Sequence, residues 1–128
     1  MTLFIADRNE RIRQSLTSLA SCVEGIEVVG DAADVQEAIG GIEEARPDSV
    51  IIALQMADGN GLDVLRAAKS ANPSVVTILL TQETNGDRAQ SSRTLGADYV
   101  FEKSNGVKKI ITTLVYLSRS AHPGAVHQ

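Results

Sequence analysis

Three short, nearly unbroken apolar runs constrain this chain more than any other feature: Leu3–Ala6, Val50–Leu54 and Val75–Leu80. Runs of this length are too short for buried helices, and strands read this way when helices cover both faces of their sheet. Helical spacing follows the first run at Ile12, Leu16, Leu19 and Val23, and the second at Leu62 and Leu65. Two weaker strands complete the set. Ile26–Val29 carries the charge of Glu27, which suits a sheet edge, and Tyr99–Phe101 precedes a strong final helix. Strand and helix therefore alternate five times, which predicts a parallel sheet with helices on both sides.

The local signals sharpen that outline. Asp34 and Glu37 have the spacing of a capping box, ahead of a stripe of Val35, Ala38, Ile39 and Ile42. Gly40 and Gly41 should weaken this second helix by about 1 kcal/mol each relative to alanine, and Pro47 closes it. Asn60 is placed to cap a third helix over 61–70. Between Gln82 and Gly96 only Ala89 and Leu95 are available for burial, so the segment from Thr84 to Leu95 should be the most weakly anchored element. Val107, Ile110, Ile111, Leu114 and Leu117 form the stripe of the last helix, after Ser104 and Asn105. Right-handed crossovers leave few topologies. The expected fold is α/β: a flavodoxin-like (βα)5 three-layer sandwich whose parallel five-stranded sheet has the order 2-1-3-4-5, with the charged second strand at an edge. The domain should span residues 1–118, with a flexible tail over 119–128.

Bulk properties exclude several function classes. A net charge of −4 and the absence of a basic run argue against a nucleic-acid grip. Cys22 is the single cysteine, so no internal disulfide can form, and its spacing suggests a buried, inert thiol. No apolar run is long enough to span a membrane, and no charged segment precedes a long apolar run at the N-terminus. The expectation is one cytoplasmic domain.

In a sheet of this kind chemistry sits at the carboxyl ends of the strands. Asp7, Ala53, Thr81 and Lys103 should meet there. From spacing alone, such a group could bind a small anion or a metal. Equally, Asp7 could cap the first helix, Thr81 could cap the fourth, and Lys103 could pair with Asp7.

Four segments in order, IADRNERIRQSL, ARPDSVIIALQMADGNGLDVL, TILLTQ and LGADYVFEKS, are more specific. Together they resemble the receiver domain of two-component response regulators over residues 2–118. The resemblance implies an acidic pair after the first strand that binds a divalent metal. It also implies an aspartate after the third strand that accepts a phosphoryl group from a histidine kinase, and a Ser/Thr and a Lys that contact that group. By position the Thr is Thr81 and the Lys is Lys103, while the acidic pair falls on Ala6 and Asp7. The phosphoacceptor falls on Ala53, the proline four residues later on Ala57, and the aromatic switch residue on Val100. Forming an acyl phosphate needs a carboxylate oxygen as nucleophile, and a methyl group supplies none. Magnesium wants several hard oxygen ligands, so Asp7 alone is at best a weak candidate and no cofactor is expected.

The implied function is that of a pseudo-receiver: a non-enzymatic phosphorelay module that works by phosphorylation-independent protein–protein contact. Its partner would be another signalling protein (a histidine kinase, an effector or an output domain), or a second copy. The surface implied is the fourth helix, fifth strand and fifth helix. Two alternatives stand beside it: a small-anion or small-ligand domain using the vacated acidic cleft, and a phosphorylation-blocked form of an ordinary response regulator. Asp58 is read as a solvated turn residue, with a substitute phosphoacceptor as the alternative. Glu10 reads as solvated helix charge, Asp63 lies on the third helix, Asp48 belongs to the far end of its strand, and His122 and His127 lie in the tail.

Overall fold

Each apolar run becomes a strand of one parallel sheet in the computed structural model, which describes residues 1–82, 85–104 and 106–120. The strands are β1 (Thr2–Ala6), β2 (Glu27–Ala32), β3 (Ser49–Ala53), β6 (Val76–Thr81) and β7 (Tyr99–Glu102), in the order β2-β1-β3-β6-β7. Counting sheet strands alone, this is the expected 2-1-3-4-5 order. Between β3 and the third helix, β4 (Gln55–Met56) and β5 (Gly59–Asn60) form a small antiparallel ribbon. The helices are α1 (Glu10–Ser21), α2 (Val35–Ala45), α3 (Gly61–Ala71), α4 (Asp87–Thr94) and α5 (Gly106–Ser120).

Side chains alternate along β1, so Leu3 and Ile5 face one layer while Phe4 and Ala6 face the other. The first layer packs under α1 and α5 with Leu16, Ala20, Ile110 and Leu114; the second packs under α2 and α3 with Ala38, Ile42, Val64 and Leu65. Every residue of β3 is buried, as expected for the central strand of a sheet covered on both faces.

The second helix is not broken by its glycines. A Cβ at Gly41 would lie 2.7 Å from Cε2 and Cζ of Phe4, and one at Gly30 would lie 2.8 Å from the same Cε2. The two glycines therefore make room for a ring wedged between β2 and α2. The capping box forms, with Glu37 N donating to Asp34 Oδ1 at 2.8 Å and Glu37 Oε1 accepting from Ala33 N at 3.1 Å.

Several expectations need correction. Cys22 is exposed, because it is the C-cap of α1 and lies beyond the buried side made by Leu16 and Ala20. Leu19 is 41% exposed rather than part of the buried stripe. Thr81 does not cap α4, whose N-cap is Gly86 with no side-chain hydrogen bond. The polar segment does form a helix, α4, which buries Ala89 and Ser92; Thr84 lies outside the described residues. α5 continues to Ser120, past the boundary expected at 118, and the remaining tail with His122 and His127 lies outside the described residues, as does Asn105. Among the described residues no helix is long and apolar enough to cross a membrane.

Candidate functional site

Parallel register brings the strand ends together. Ala6 lies beside Ile52, Ala53 beside Leu80, and Thr81 beside Glu102. Asp7 directly follows β1 and Lys103 directly follows β7, so both stand at the same rim.

Asp7 is fully buried. Its N–H donates to the Ala32 carbonyl at 3.0 Å, its Oδ1 accepts from Asn9 N at 2.9 Å, and its carbonyl accepts from Arg13 Nη1 at 2.8 Å. Lys103 Nζ lies 3.1 Å from Oδ2 and 3.3 Å from Oδ1. Only the Oδ1 approach has hydrogen-bond geometry, so Oδ2 is held by charge without a directed donor. A buried carboxylate needs a counter-charge, and here the lysine is that charge. Lys103 is itself fixed by its backbone N–H, which donates to the Thr81 carbonyl at 2.8 Å. The pairing of Lys103 with Asp7 thus forms as spacing allowed, while the cap of α1 is Asn9, whose Oδ1 accepts from Ile12 N at 3.1 Å.

The loop after Ala53 is held tightly. Gly61 N donates to the Leu54 carbonyl at 2.9 Å, and a Cβ at Gly61 would lie 2.2 Å from the Ala53 carbonyl oxygen. Only glycine permits this approach. Ala57 N donates to the Ala33 carbonyl at 3.3 Å, and Asp58 Oδ1 accepts from Val35 N, the first residue of α2. Asp58 is therefore exposed but engaged at a helix N-terminus, not a merely solvated turn residue. Above the loop, Leu54, Gln55, Thr81, Asp87 and Lys103 line a cleft of about 280 Å³. Val100 is half-buried against the layer under α2 and α3.

Ala6, matched by position to the first acid of the pair, is fully buried. It packs with Phe4 inside the core, where a carboxylate would enter apolar surroundings. Arg8, exposed beside Asp7, is the neighbour at the rim. Position 8, next to Asp7, thus holds a cation. This donor set does not fit a magnesium ion: one carboxylate already committed to an ammonium, a methyl at 53 and a guanidinium at 8. Among the described residues no three His, Cys, Asp or Glu side chains are grouped to hold a metal.

Elsewhere, Glu10 accepts from Gln14 on the exposed side of α1, Asp63 pairs with Arg66 at 3.0 Å, and Asp48 accepts from Thr2 N at 2.8 Å at the opposite end of the sheet. The sequence reading missed Arg13, Arg8 and the α2-capping role of Asp58. Arg13 looks like outer helix charge in the sequence, yet it turns back to the Asp7 carbonyl and lies 3.8 Å from Asp31 through Nε.

With this geometry in view, the profile of the response regulator receiver domain matches residues 3–115. The chain belongs to the response regulator receiver family. Among curated relatives, the DNA-binding transcriptional activator DevR/DosR of Mycobacterium tuberculosis is 30% identical over 107 residues, covering 83% of this chain and 49% of its own. The response regulator protein VraR of Staphylococcus aureus is 29% identical, covering 91% of this chain and 56% of its own. This receiver thus spans about half the length of the curated relatives it matches. In fold it is similar to the response regulator domain of Thermotoga maritima CheB, with TM-score 0.80, 20% identity and coverage of 94% and 95% of the two chains. A LuxR-family DNA-binding response regulator from Staphylococcus aureus gives TM-score 0.81 at 21% identity, covering 91% and 98%.

Proposed function

We propose that this receiver signals through protein contact without forming an aspartyl phosphate at position 53. The observation that carries the reading is the strand end itself: Ala53 stands at the carboxyl end of β3, and the nearby rim carboxylate, Asp7, is already paired with Lys103. No nucleophilic oxygen is available at position 53. The domain is a non-enzymatic module whose partner is another signalling protein or an output segment. DNA-binding output of the kind named for DevR/DosR would belong to a further segment, and the receiver itself would not touch nucleic acid. By family analogy the partner face is formed by α4, β7 and α5. There α4 buries little beyond Ala89 and Ser92, and half-buried Phe101 lies beside exposed Lys108 and Lys109, a combination suited to an acidic partner segment.

The small-anion alternative loses support, because it needed an unneutralised lysine and Lys103 is neutralised by Asp7. A phosphorylation-blocked ordinary regulator would require the rest of the pocket to be competent, and Arg8 beside Asp7 speaks against that.

The test is partner capture from a lysate, run with and without magnesium and beryllofluoride. Equal recovery of the same partner in both arms is expected. Capture that depends on beryllofluoride overturns the reading.

A further inference from the structure

The dipeptide Asn-Gly occurs at 60–61, 85–86 and 105–106. An asparagine followed by glycine can lose its side-chain amide, because no Cβ on the next residue blocks the approach of the glycine nitrogen to the asparagine Cγ. The fold treats the first two pairs differently. Asn60 is the N-cap of α3, and its Oδ1 accepts from Leu62 N at 2.8 Å. The Gly61 N–H donates to the Leu54 carbonyl at 2.9 Å, and Gly61 is buried. Both reacting groups of this pair are therefore held. Asn85, by contrast, is exposed in the turn before α4, whose N-cap Gly86 has ordinary extended backbone at φ −77°. Among the described residues no hydrogen bond engages the Asn85 amide or the Gly86 N–H. Asn105 lies outside the described residues.

We propose that Asn85 is a site of spontaneous modification, converted to an acid through a cyclic imide with Gly86, while the fold protects Asn60 in the same dipeptide. The Gly86 nitrogen attacks Asn85 Cγ and forms the new C–N bond. The Cγ–Nδ2 bond breaks, and the amide leaves as ammonia, carrying the proton lost from Gly86. Water then opens the imide at either carbonyl, which leaves an aspartyl or an isoaspartyl link at position 85. Each product adds one negative charge to a chain of net charge −4, and adds it beside Asp87 in the first turn of α4. Gly86 and Asp87 also line the cleft that holds Thr81 and Lys103, so the change falls where the rim meets this helix. Helix α4 buries only Ala89 and Ser92, and can shift its first turn without unfolding the core. Any effect on a partner bound at α4 rests on the reading given above; the conversion itself does not.

Peptide mapping by mass spectrometry tests it, on the 128-residue chain held folded in warm, mildly alkaline buffer and sampled over time. Conversion at Asn85 should outpace conversion at Asn60 by roughly tenfold or more, since Asn60 reacts only after its held turn opens. Isoaspartyl methylation should label the same Asn85 peptide. In urea the two sites should convert at similar rates, because the contacts that hold Asn60 are gone. Gly86→Ala, which the backbone at this position accepts, should slow Asn85 in the folded chain and leave Asn60 unchanged. Equal rates at the two sites in the folded chain overturn the proposal. So does an Asn85 rate indifferent to Gly86→Ala, or an Asn60 that stays slow in urea, which would assign the difference to local sequence and not to the fold.

Discussion

At the residue scale, the pair made by Asp7 and Lys103 decides what this pocket is. One partner is fully buried and the other is 24% exposed, so removing the lysine strands a carboxylate in the core. Breaking fully buried pairs costs ~3–5 kcal/mol; the partial exposure of Lys103 places Lys103→Met lower, at about 2–3 kcal/mol. Asp7→Asn combined with Lys103→Met removes both charges and should recover most of that loss, which urea denaturation of the four-member cycle would measure. Additive losses would show that the two side chains do not act as a pair. The pairing itself was legible in the sequence, because strand order alone brings positions 7 and 103 to one rim. Ala6 is matched to the site by linear position, whereas in the fold it packs in the core and Arg8, beyond the end of β1, stands exposed at the rim.

The elements show where local rules and packing diverge. Gly40 and Gly41 look equivalent in the sequence and carry the same propensity penalty. In the fold a Cβ at Gly40 meets nothing within 4 Å, whereas at Gly41 it meets Phe4 at 2.7 Å. Gly40→Ala should therefore stabilise by about 0.5–1 kcal/mol, and Gly41→Ala should destabilise by ~1–3 kcal/mol despite the gain in propensity. Opposite shifts in thermal midpoint check this, and shifts of one sign would contradict it. Asp58 is a second case. Its loop position suggested solvation, but it accepts from the first N–H of α2, so Asp58→Ala should cost about 1 kcal/mol, measurable by denaturation. The strands, the capping box and the cap at Asn60 were legible because they depend on local chemistry. The exposure of Leu19 and Cys22 was not, since helical spacing fixes a stripe but not how far the neighbouring helix reaches over it.

For the whole molecule, the receiver scaffold persists around a strand end with different chemistry. Gly61 still permits the close turn at the Ala53 carbonyl, and Thr81 and Lys103 still occupy their family positions, yet positions 8 and 53 carry a guanidinium and a methyl. A carboxylate restored at position 53 alone would face a rim where Arg8 is a cation and Asp7 is held by Lys103. Ala53→Asp should therefore gain little phosphorylation, and Arg8→Asp/Ala53→Asp should gain much more, read as acyl phosphate formed per chain. Equal labelling of both variants would show that Arg8 does not limit the pocket.

The most direct measurement is the intact mass of the unaltered chain after incubation with magnesium and acetyl phosphate at neutral pH. An unchanged mass is expected. A stoichiometric gain of one phosphoryl group, lost on hydroxylamine treatment as an acyl phosphate would be, would contradict it and point to another carboxylate such as Asp58.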